Sequence, residues 1–335
     1  KQFIHAFTSA ADRGVQIFII LDNFGAYKLE QEEQYLLKHP QISVHTYNPI
    51  RLVKLFKNLH RNHRKLLLVD GASAFVGGTG VSDSFAYSDH NLFTLKAPWR
   101  ETMLKVRGEC VQDWHRLFME TWENETASKA NLLSATENKT LSERSVGRVL
   151  GTATENQNFI QQSLINAINK SKRDVWIATP YFVPSLKLRR TLRSAARRGI
   201  KIHIILPGQY TDNVWVRRFG QRFYMRLLLA GIQVYEYQKR FMHQKIALCD
   251  NWITIGSSNF DRWSFRWNLE ANQEIVDPDF AEQIRKMLQQ DLRHCQQITI
   301  QSWKQRNSWT KIVDYLITTL DRWTDPILNL LSRRR

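Results

Sequence analysis

Apolar residues recur along this chain in two patterns, one typical of helices and one typical of strands. Residues 157–172 carry an apolar face at helical spacing, formed by Phe159, Ile160, Leu164, Ile165 and Ile168. Residues 42–47 (ISVHTY) and 232–237 (IQVYEY) alternate apolar and polar side chains, as half-buried strands do. The apolar run 174–183 predicts a further strand. Helices that alternate with strands predict an α/β fold.

The same sequence blocks occur twice, in the same order. FTSAADRGVQIFIIL at 7–21 resembles LRSAARRGIKIHIIL at 192–206, and HRKLLLVD at 63–70 resembles HQKIALCD at 243–250. This order indicates an internal duplication. The helix and strand predicted at 157–183 have no counterpart before Lys1, so we expect roughly 30 residues to precede the first copy in the intact protein.

The duplication divides the chain into four predicted parts. The first lobe is expected at 1–123 and the second at 157–299. The polar stretch 124–156 between them has little apolar periodicity and is interpreted as a linker. Residues 300–335 are expected to form a basic amphipathic extension.

Composition narrows the class of partner. The formal net charge is +17 and the hydrophobic fraction is 43%, which is typical of a basic globular protein. Three scattered cysteines indicate neither a disulfide framework nor a zinc site. No apolar run approaches the ~18 residues that span a bilayer. The charge favours a polyanionic partner, either a nucleic acid or an anionic membrane surface.

Each copy contains one His-x-Lys pair, and these two pairs are the clearest indication of catalytic chemistry in the sequence. The pairs are His63 with Lys65, and His243 with Lys245. On a strand, residues i and i+2 face the same side, so each pair is expected to project together. A single histidine of this kind is usually structural, but two copies can meet at the seam between duplicated lobes. There, one imidazole could attack a phosphorus, the other could move a proton, and the lysines could hold the phosphate oxygens. This chemistry requires no metal or other cofactor.

Further polar residues follow each pair. Asp70 and Asp250 are interpreted as turn residues rather than catalytic groups, because Asp70-Gly71 is a hairpin-turn dipeptide and Asp250-Asn251 repeats it. Ser258 and Asn259 are candidates for binding phosphate.

Two glutamates are candidate partners of the histidines. We expect Glu270 to orient His243 and Glu101 to orient His63, with surface ion pairs as the alternative.

With GSSNFDRWSFRWNLEAN at 256–272 and ATPYFVPS at 178–185, the paired motif resembles the phospholipase D superfamily, and more narrowly bacterial cardiolipin synthases. The resemblance implies two duplicated α/β lobes, each a mixed sheet flanked by helices, with pseudo-two-fold symmetry and a shared active site. It implies a phosphohistidine intermediate, with His63 as nucleophile and His243 as acid and then base. It also implies that Lys65, Lys245 and Asn259 hold the phosphate.

The resemblance further implies that phosphatidylglycerol donates the phosphatidyl group, glycerol leaves, and another phospholipid headgroup accepts. The family usually has an asparagine where Gly80 stands in GGTG, so one phosphate donor is expected to be absent. Two alternatives stay open. One is a hydrolase of phospholipids with the same site, and the other is a nucleic-acid phosphodiesterase on the same fold.

Three basic amphipathic segments favour an anionic phospholipid membrane over nucleic acid as the partner. They are 51–61 (RLVKLFKNLHR), 215–229 (WVRRFGQRFYMRLLL) and the Trp-containing tail 309–331. We therefore expect peripheral attachment to the bacterial cytoplasmic membrane. Helices that pack their apolar faces on the protein's own core are the alternative for each segment. The sequence leaves the oligomeric state open.

Overall fold

The computed structural model describes residues 2–27, 29, 34, 37–51, 58–85, 97–126, 145–151, 159–261 and 267–307. The strands are β1 Ile17–Asp22, β2 Ile42–Tyr47, β3 Arg61–Asn62, β4 Leu66–Val69, β5 Ser73–Gly77, β6 Met103–Val106, β7 Val146–Gly151, β8 Asp174–Ala178, β9 Lys201–Pro207, β10 Gln233–Tyr237, β11 Ile246–Cys249, β12 Trp252–Gly256, β13 Asn268–Leu269, β14 Ala271–Val276 and β15 Cys295–Ile298. The helices are α1 Gln2–Asp12, α2 Cys110–Thr126, α3 Phe159–Lys170, α4 Leu186–Arg197, α5 Val214–Gln221, α6 Tyr224–Leu228, α7 Pro278–Leu292 and α8 Ile300–Lys304.

The second half of the chain forms an eight-stranded mixed sheet with helices on both faces. Its strand order is β15-β10-β9-β8-β11-β12-β14-β7. Strands β8, β9 and β10 are parallel neighbours, and the other pairings are antiparallel. One buried cluster joins this sheet to α3, α4 and α6, and a second joins its other face to α7. Because both faces are covered, β8 and β11 are fully buried along their length.

The first half repeats this order in two smaller sheets. Strands β1 and β2 are parallel and correspond to β9 and β10. Strands β4, β5 and β6 form an antiparallel sheet and correspond to β11, β12 and β14. In the second half β8 joins the two groups. Among the described residues of the first half, no strand pairs with both β1 and β4 to join the two sheets.

Three features differ from the sequence predictions. Strand β7 lies inside 124–156, the segment expected to be a linker, and pairs with β14 along its whole length. The strand expected at 174–183 ends at Ala178, because Pro180 and Pro184 remove backbone donors. The helix expected at 215–229 is two helices, α5 and α6.

Apolar residues in and directly before α6 pack inward, as the alternative interpretation of that segment proposed, although Leu229 after it is 68% exposed. Phe223, Tyr224 and Leu227 are buried in the second lobe, while Trp215 at the start of α5 is 65% exposed. Trp303 of α8 is also buried and lies 4.8 Å from Tyr224, ring centroid to ring centroid. The central part of the 51–61 segment, residues 52–57, and the tail 309–331 lie outside the described residues.

Candidate active site

Two short backbone pairings cross between the lobes, and each ends immediately before a histidine and a glutamate. Strand β3 of the first lobe pairs in parallel with β13 of the second, and the His63 amide donates to the Leu269 carbonyl at 3.0 Å. The related crossing joins Arg100 to Met242. There the His243 amide donates to the Arg100 carbonyl at 2.8 Å.

These crossings place each histidine beside the glutamate of the opposite lobe. His63 Nδ1 lies 2.9 and 3.0 Å from the two carboxylate oxygens of Glu270. His243 Nδ1 lies 2.6 Å from Glu101 Oε2. The pairing expected from the sequence, Glu101 with His63 and Glu270 with His243, is therefore wrong. Each glutamate follows the backbone pairing that crosses to the other lobe, after β13 for Glu270 and after Arg100 for Glu101, so its side chain reaches the histidine of that lobe.

The carboxylate of Glu270 is held by three side chains. It is fully buried and contacts His63, while Ser257 Oγ donates to it at 2.5 Å and Asn268 Nδ2 donates at 3.1 Å. Burial raises the pKa of Glu270, but His63, Lys65 and Ser257 together outweigh burial and hold the pKa below its usual range. Glu270 is therefore an anion that accepts the Nδ1–H of His63 and directs the Nε2 lone pair into the site.

The environment of His243 is more enclosed. Its side chain is 8% exposed, against 29% for His63. Burial, and then the ammonium groups of Lys245 and Lys65, hold the pKa of His243 well below its usual range. Aromatic rings surround the imidazole, with ring centroids 5.0 to 5.7 Å away: Phe85, Trp99 and Phe241.

The two lysines lie close enough to affect each other's protonation. Lys65 Nζ donates to the His63 carbonyl at 2.7 Å, and Lys245 Nζ lies 3.4 Å from Glu101 Oε2. Burial, and then repulsion by Lys245, lower the pKa of Lys65 to about 8, against the attraction of Glu270. Two cations crowded in one buried site favour the binding of an anion between them.

The sequence placed His63 and Lys65 on a strand, and likewise His243 and Lys245, and this is wrong in detail. Both pairs lie outside the strands, between a backbone crossing (β3 or the Arg100–Met242 bridge) and the next strand of their own lobe, β4 or β11. The chain must leave the pairing with the opposite lobe there and enter its own sheet. Each lysine bonds the carbonyl of its own histidine, so each pair still acts as a unit.

The expected phosphate-binding residues lie directly after β12, in buried positions. Ser258 and Asn259 are 0% and 3% exposed. The Ser258 amide donates to Asn272 Oδ1 at 3.2 Å, which fixes the turn. Ser257, which donates to the Glu270 carboxylate, was not predicted as a site residue, and its only signal in the sequence is its place beside Ser258 in GSSN.

Two glycines of the first copy have different surroundings. A Cβ at Gly78 would lie 2.2 to 2.7 Å from the carboxylate of Glu101, so this carboxylate occupies the space that a side chain would need. Among the described residues, a Cβ at Gly80 would meet only the Phe85 ring, at 3.6 Å, which is ordinary contact. A side chain at position 78 would therefore displace the Glu101 carboxyl, whereas the described neighbours of position 80 leave room for one.

Asp70 and Asp250 lie in the turns at the far ends of β4 and β11. Both adopt left-handed backbone, with φ of 51° and 54°. The carboxylate of Asp250 accepts the backbone amides of Lys172, Arg173 and Asp174 at 2.8 to 3.1 Å. Asp250 thus fixes the start of β8 and lies one strand length away from Lys245.

With this geometry established, comparison with known proteins identifies the family. A family model described as "Cardiolipin synthase, PLD-like domain" matches residues 1–122 and 164–292. This chain belongs to that family. The family and the duplicated α/β fold predicted from the sequence are thereby confirmed.

Relatives in the cardiolipin synthase family align with most of this chain. Cardiolipin synthase A of Pseudomonas putida (strain W619) is 31% identical over 324 aligned residues, covering 95% of this chain and 65% of the relative. Cardiolipin synthase of Alkalihalophilus pseudofirmus is 30% identical over 311, covering 91% of this chain and 61% of the relative. The chain thus spans less than two thirds of the length of these relatives.

A solved structure shares the fold over nearly the whole chain. The crystal structure of phosphatidylserine synthase from Haemophilus influenzae Rd KW20 covers 98% of this chain and 92% of its own, with a TM-score of 0.65 at 13% identity. Within the described ranges, no three His, Cys, Asp or Glu side chains group as metal ligands would. No described helix has both the length and the apolar character needed to span a membrane.

Proposed function

We propose that this chain carries the active site of a phosphatidyltransferase of cardiolipin synthase type, which exchanges the headgroup of phosphatidylglycerol or a related phospholipid. The crossed arrangement of the two His–Lys pairs carries this proposal. Nδ1 of His63 faces the Glu270 carboxylate, which leaves its Nε2 for the substrate. Nδ1 of His243 faces the Glu101 carboxylate, and Lys245 Nζ lies 2.8 Å from its Nδ1 and 3.1 Å from its Nε2, so a cation lies beside this imidazole. The names of the relatives and the family model support the lipid as substrate.

The first half-reaction uses His63 as nucleophile. Its Nδ1–H donates to Glu270, and its Nε2 attacks the phosphorus while the bond from phosphorus to the glycerol oxygen breaks. Lys65 and Lys245 stabilise the negative charge on the non-bridging oxygens. His243 delivers a proton to the departing glycerol oxygen, which leaves the phosphatidyl group on His63.

His243 must carry a proton for this step, and substrate binding favours its protonation. In the free site, burial and the two lysines keep the pKa of His243 low and its ring neutral. A phosphodiester anion between the lysines offsets their repulsion and raises the pKa of His243. Proton uptake therefore accompanies substrate binding.

The second half-reaction reverses the roles of the proton donor and acceptor. The acceptor hydroxyl gives its proton to His243 as its oxygen attacks the phosphorus, and the bond to His63 Nε2 breaks. A phospholipid headgroup as acceptor yields cardiolipin or a related lipid. Water as acceptor would yield phosphatidic acid.

The same proposal places the protein at an anionic membrane surface, as a peripheral protein of the bacterial cytoplasmic membrane. The net charge of +17 supports attraction to anionic lipid. Val214 and Trp215 at the start of α5 are 53% and 65% exposed, and Arg218 follows one turn later. An exposed tryptophan beside basic residues suits the boundary between headgroups and acyl chains.

Product analysis tests the function. Phosphatidylglycerol vesicles incubated with the protein should yield cardiolipin and free glycerol, as measured by lipid mass spectrometry. His63→Ala and His243→Ala should each lower the rate by at least about 10³-fold, because each removes a group essential to both half-reactions. His5→Ala, at an exposed position on α1, is the matched control. Phosphatidic acid alone would identify a hydrolase, and turnover of single-stranded DNA without lipid turnover would overturn the proposal.

A further inference from the structure

A tyrosine and an aspartate outside the His–Lys motifs meet at one edge of the large sheet. Tyr181 follows β8 and Asp212 follows β9. The Tyr181 hydroxyl donates to Asp212 Oδ2 at 2.5 Å. Strands β8 and β9 are parallel neighbours, so the loops after them emerge at the same edge. In α/β folds this edge, at the carboxyl ends of parallel strands, is where ligands bind.

This edge is also the one that carries Lys245. Strand β11 runs antiparallel to β8, and Ile246 lies opposite Ala178. Lys245, which precedes Ile246, therefore lies beside Thr179, two residues before Tyr181. At this short separation, the charges of Lys245 and Asp212 affect each other's pKa. Burial raises the pKa of Asp212, while its hydrogen bond from Tyr181 and the charge of Lys245 act to lower it.

The loop that carries Tyr181 is fixed to the phosphate-binding turn. Thr179 Oγ1 donates to the Tyr181 carbonyl at 3.1 Å and accepts the Phe260 amide at 3.5 Å. Phe260 directly follows Asn259. The position of the tyrosine is thus set by the same segment that supplies the expected phosphate donors, whereas Asp212 itself is exposed.

In the proposed reaction, the leaving alcohol and the accepting alcohol both bind on the side of the site that carries His243 and Lys245. In an in-line displacement by His63, the leaving alcohol departs on the His243 and Lys245 side, and the acceptor alcohol returns by the same route. For phosphatidylglycerol both alcohols carry a glyceryl group, with a hydroxyl next to the reacting one. Nothing in the two half-reactions uses Tyr181 or Asp212.

We propose that Tyr181 and Asp212 form a subsite for the glyceryl group of the leaving and accepting alcohols. The free hydroxyls of the polyol donate to the Asp212 carboxylate, and the Tyr181 hydroxyl holds that carboxylate in place. The subsite selects polyols over simple alcohols. This inference rests on the proposed function, because it names the alcohol specificity of the same site.

A competition experiment measures this selectivity separately from the first half-reaction. Phosphatidylglycerol vesicles are incubated with ¹³C-glycerol and ethanol, and the ratio of labelled phosphatidylglycerol to phosphatidylethanol is measured. Both products form from the same phosphohistidine, so their ratio reports only on the acceptor. Asp212→Asn should lower this ratio by about tenfold, and Tyr181→Phe by roughly threefold, because hydrogen bonds to charged groups are the stronger ones.

Two matched controls test loss of charge and loss of a hydroxyl elsewhere. Asp113→Asn removes a carboxylate that pairs with Arg116 on α2, and Tyr235→Phe removes a hydroxyl on β10. Both should keep the ratio of the unmodified protein. An unchanged ratio in Asp212→Asn, or an equal fall of both products, would overturn the subsite. A protein that forms neither product before mutation would instead refute the proposed function.

Discussion

At the level of single residues, the site depends on two carboxylates that cross between the lobes. Glu270 contacts His63 and Glu101 contacts His243. A carboxylate on Nδ1 fixes the tautomer that exposes Nε2. The side chain of His243 is less exposed than that of His63, and its pKa is lowered more strongly. The first histidine is thus the more accessible to an incoming phosphodiester.

The space above Gly78 gives a direct test of the contact between Glu101 and His243. Gly78→Ala would place a methyl group within 2.2 to 2.7 Å of the Glu101 carboxyl and displace it. We expect kcat to fall by about 10²-fold, as when a group that positions a catalytic side chain is displaced. Gly80→Ala, two residues away, is the matched control and should stay within about twofold. Equal activities of the two variants would show that Glu101 does not position His243.

Lys65 gives a prediction for the pH dependence of stability. Its pKa in the folded protein is about 8, against 10.5 for the ordinary side chain. Between these values the unfolded chain binds more protons than the native one, so this lysine makes stability rise with pH. Lys65→Met should therefore be more stable than the unmodified protein at pH 7, and the difference should shrink as the pH rises from about 8 to about 10.5.

Urea unfolding at pH 7 and pH 10 measures this difference. Lys170→Met, at an exposed position in the last turn of α3, is the control and should show no such change between the two pH values. A Lys65→Met variant that is less stable than the unmodified protein at pH 7 would show that the buried ammonium stabilises the fold. The same variant should be inactive, because it lacks a cation for the phosphate.

The sequence predicted which residues come together at the candidate site but not how they pair. The spacing in each copy is local information, and it identified His63, Lys65, His243 and Lys245. The partner of each histidine depends on how the lobes dock, which no local pattern contains. The sequence thus assigned each glutamate to its own lobe, whereas the crossing strands carry it to the other.

At the level of elements, the turns that contain Asp70 and Asp250 have the same backbone conformation but different roles in the two lobes. Asp70 and Asp250 both have left-handed backbone, which asparagine also tolerates. Only Asp250 has carboxylate contacts to three amides at the start of β8 among the described residues. The aspartate of the second motif therefore fixes the start of β8.

Asparagine substitutions at both turns separate these roles. Asp250→Asn keeps the backbone conformation but replaces one accepting oxygen with a donor. It should lower the free energy of unfolding by about 1–3 kcal/mol. Asp70→Asn should change it by less than about 0.5 kcal/mol, as exposed substitutions usually do. Thermal unfolding measures both, and equal losses would contradict a special role for Asp250.

Strand and helix boundaries show the limits of local patterns. The periodicity of 42–47 and 232–237 agreed with β2 and β10 within one residue. Strand β7 was missed because its sequence, VGRVLG, lies in a polar stretch, and its pairing with β14 comes from tertiary structure. The helical face at 215–229 was recognised, but its burial in the core depends on packing that the sequence does not show.

At the level of the whole molecule, contacts between the lobes bring the two halves of the candidate site together, and three of those in the described part of the chain border the histidines and glutamates. Two are the backbone crossings that precede the histidines. The third is Arg100, whose guanidinium contacts the Asp291 carboxylate at 2.9 and 3.1 Å. Arg100 directly precedes Glu101, so this ion pair fixes the segment that orients His243. The duplication thus brings the two His–Lys pairs together at one candidate site, where the proposed mechanism has its nucleophile in one lobe and its proton donor in the other.

In the proposed mechanism, His63 carries the phosphatidyl group and His243 moves the proton. This assignment is tested most directly with the His243→Ala variant and a phosphatidyl p-nitrophenyl ester, whose leaving group needs no proton. We predict a burst of about one nitrophenolate per site and an adduct on the peptide that contains His63, because breakdown of the intermediate lacks its base. Mass spectrometry after alkaline quenching detects the adduct. An adduct on His243 in the His63→Ala variant, with none on His63 in His243→Ala, would contradict this account.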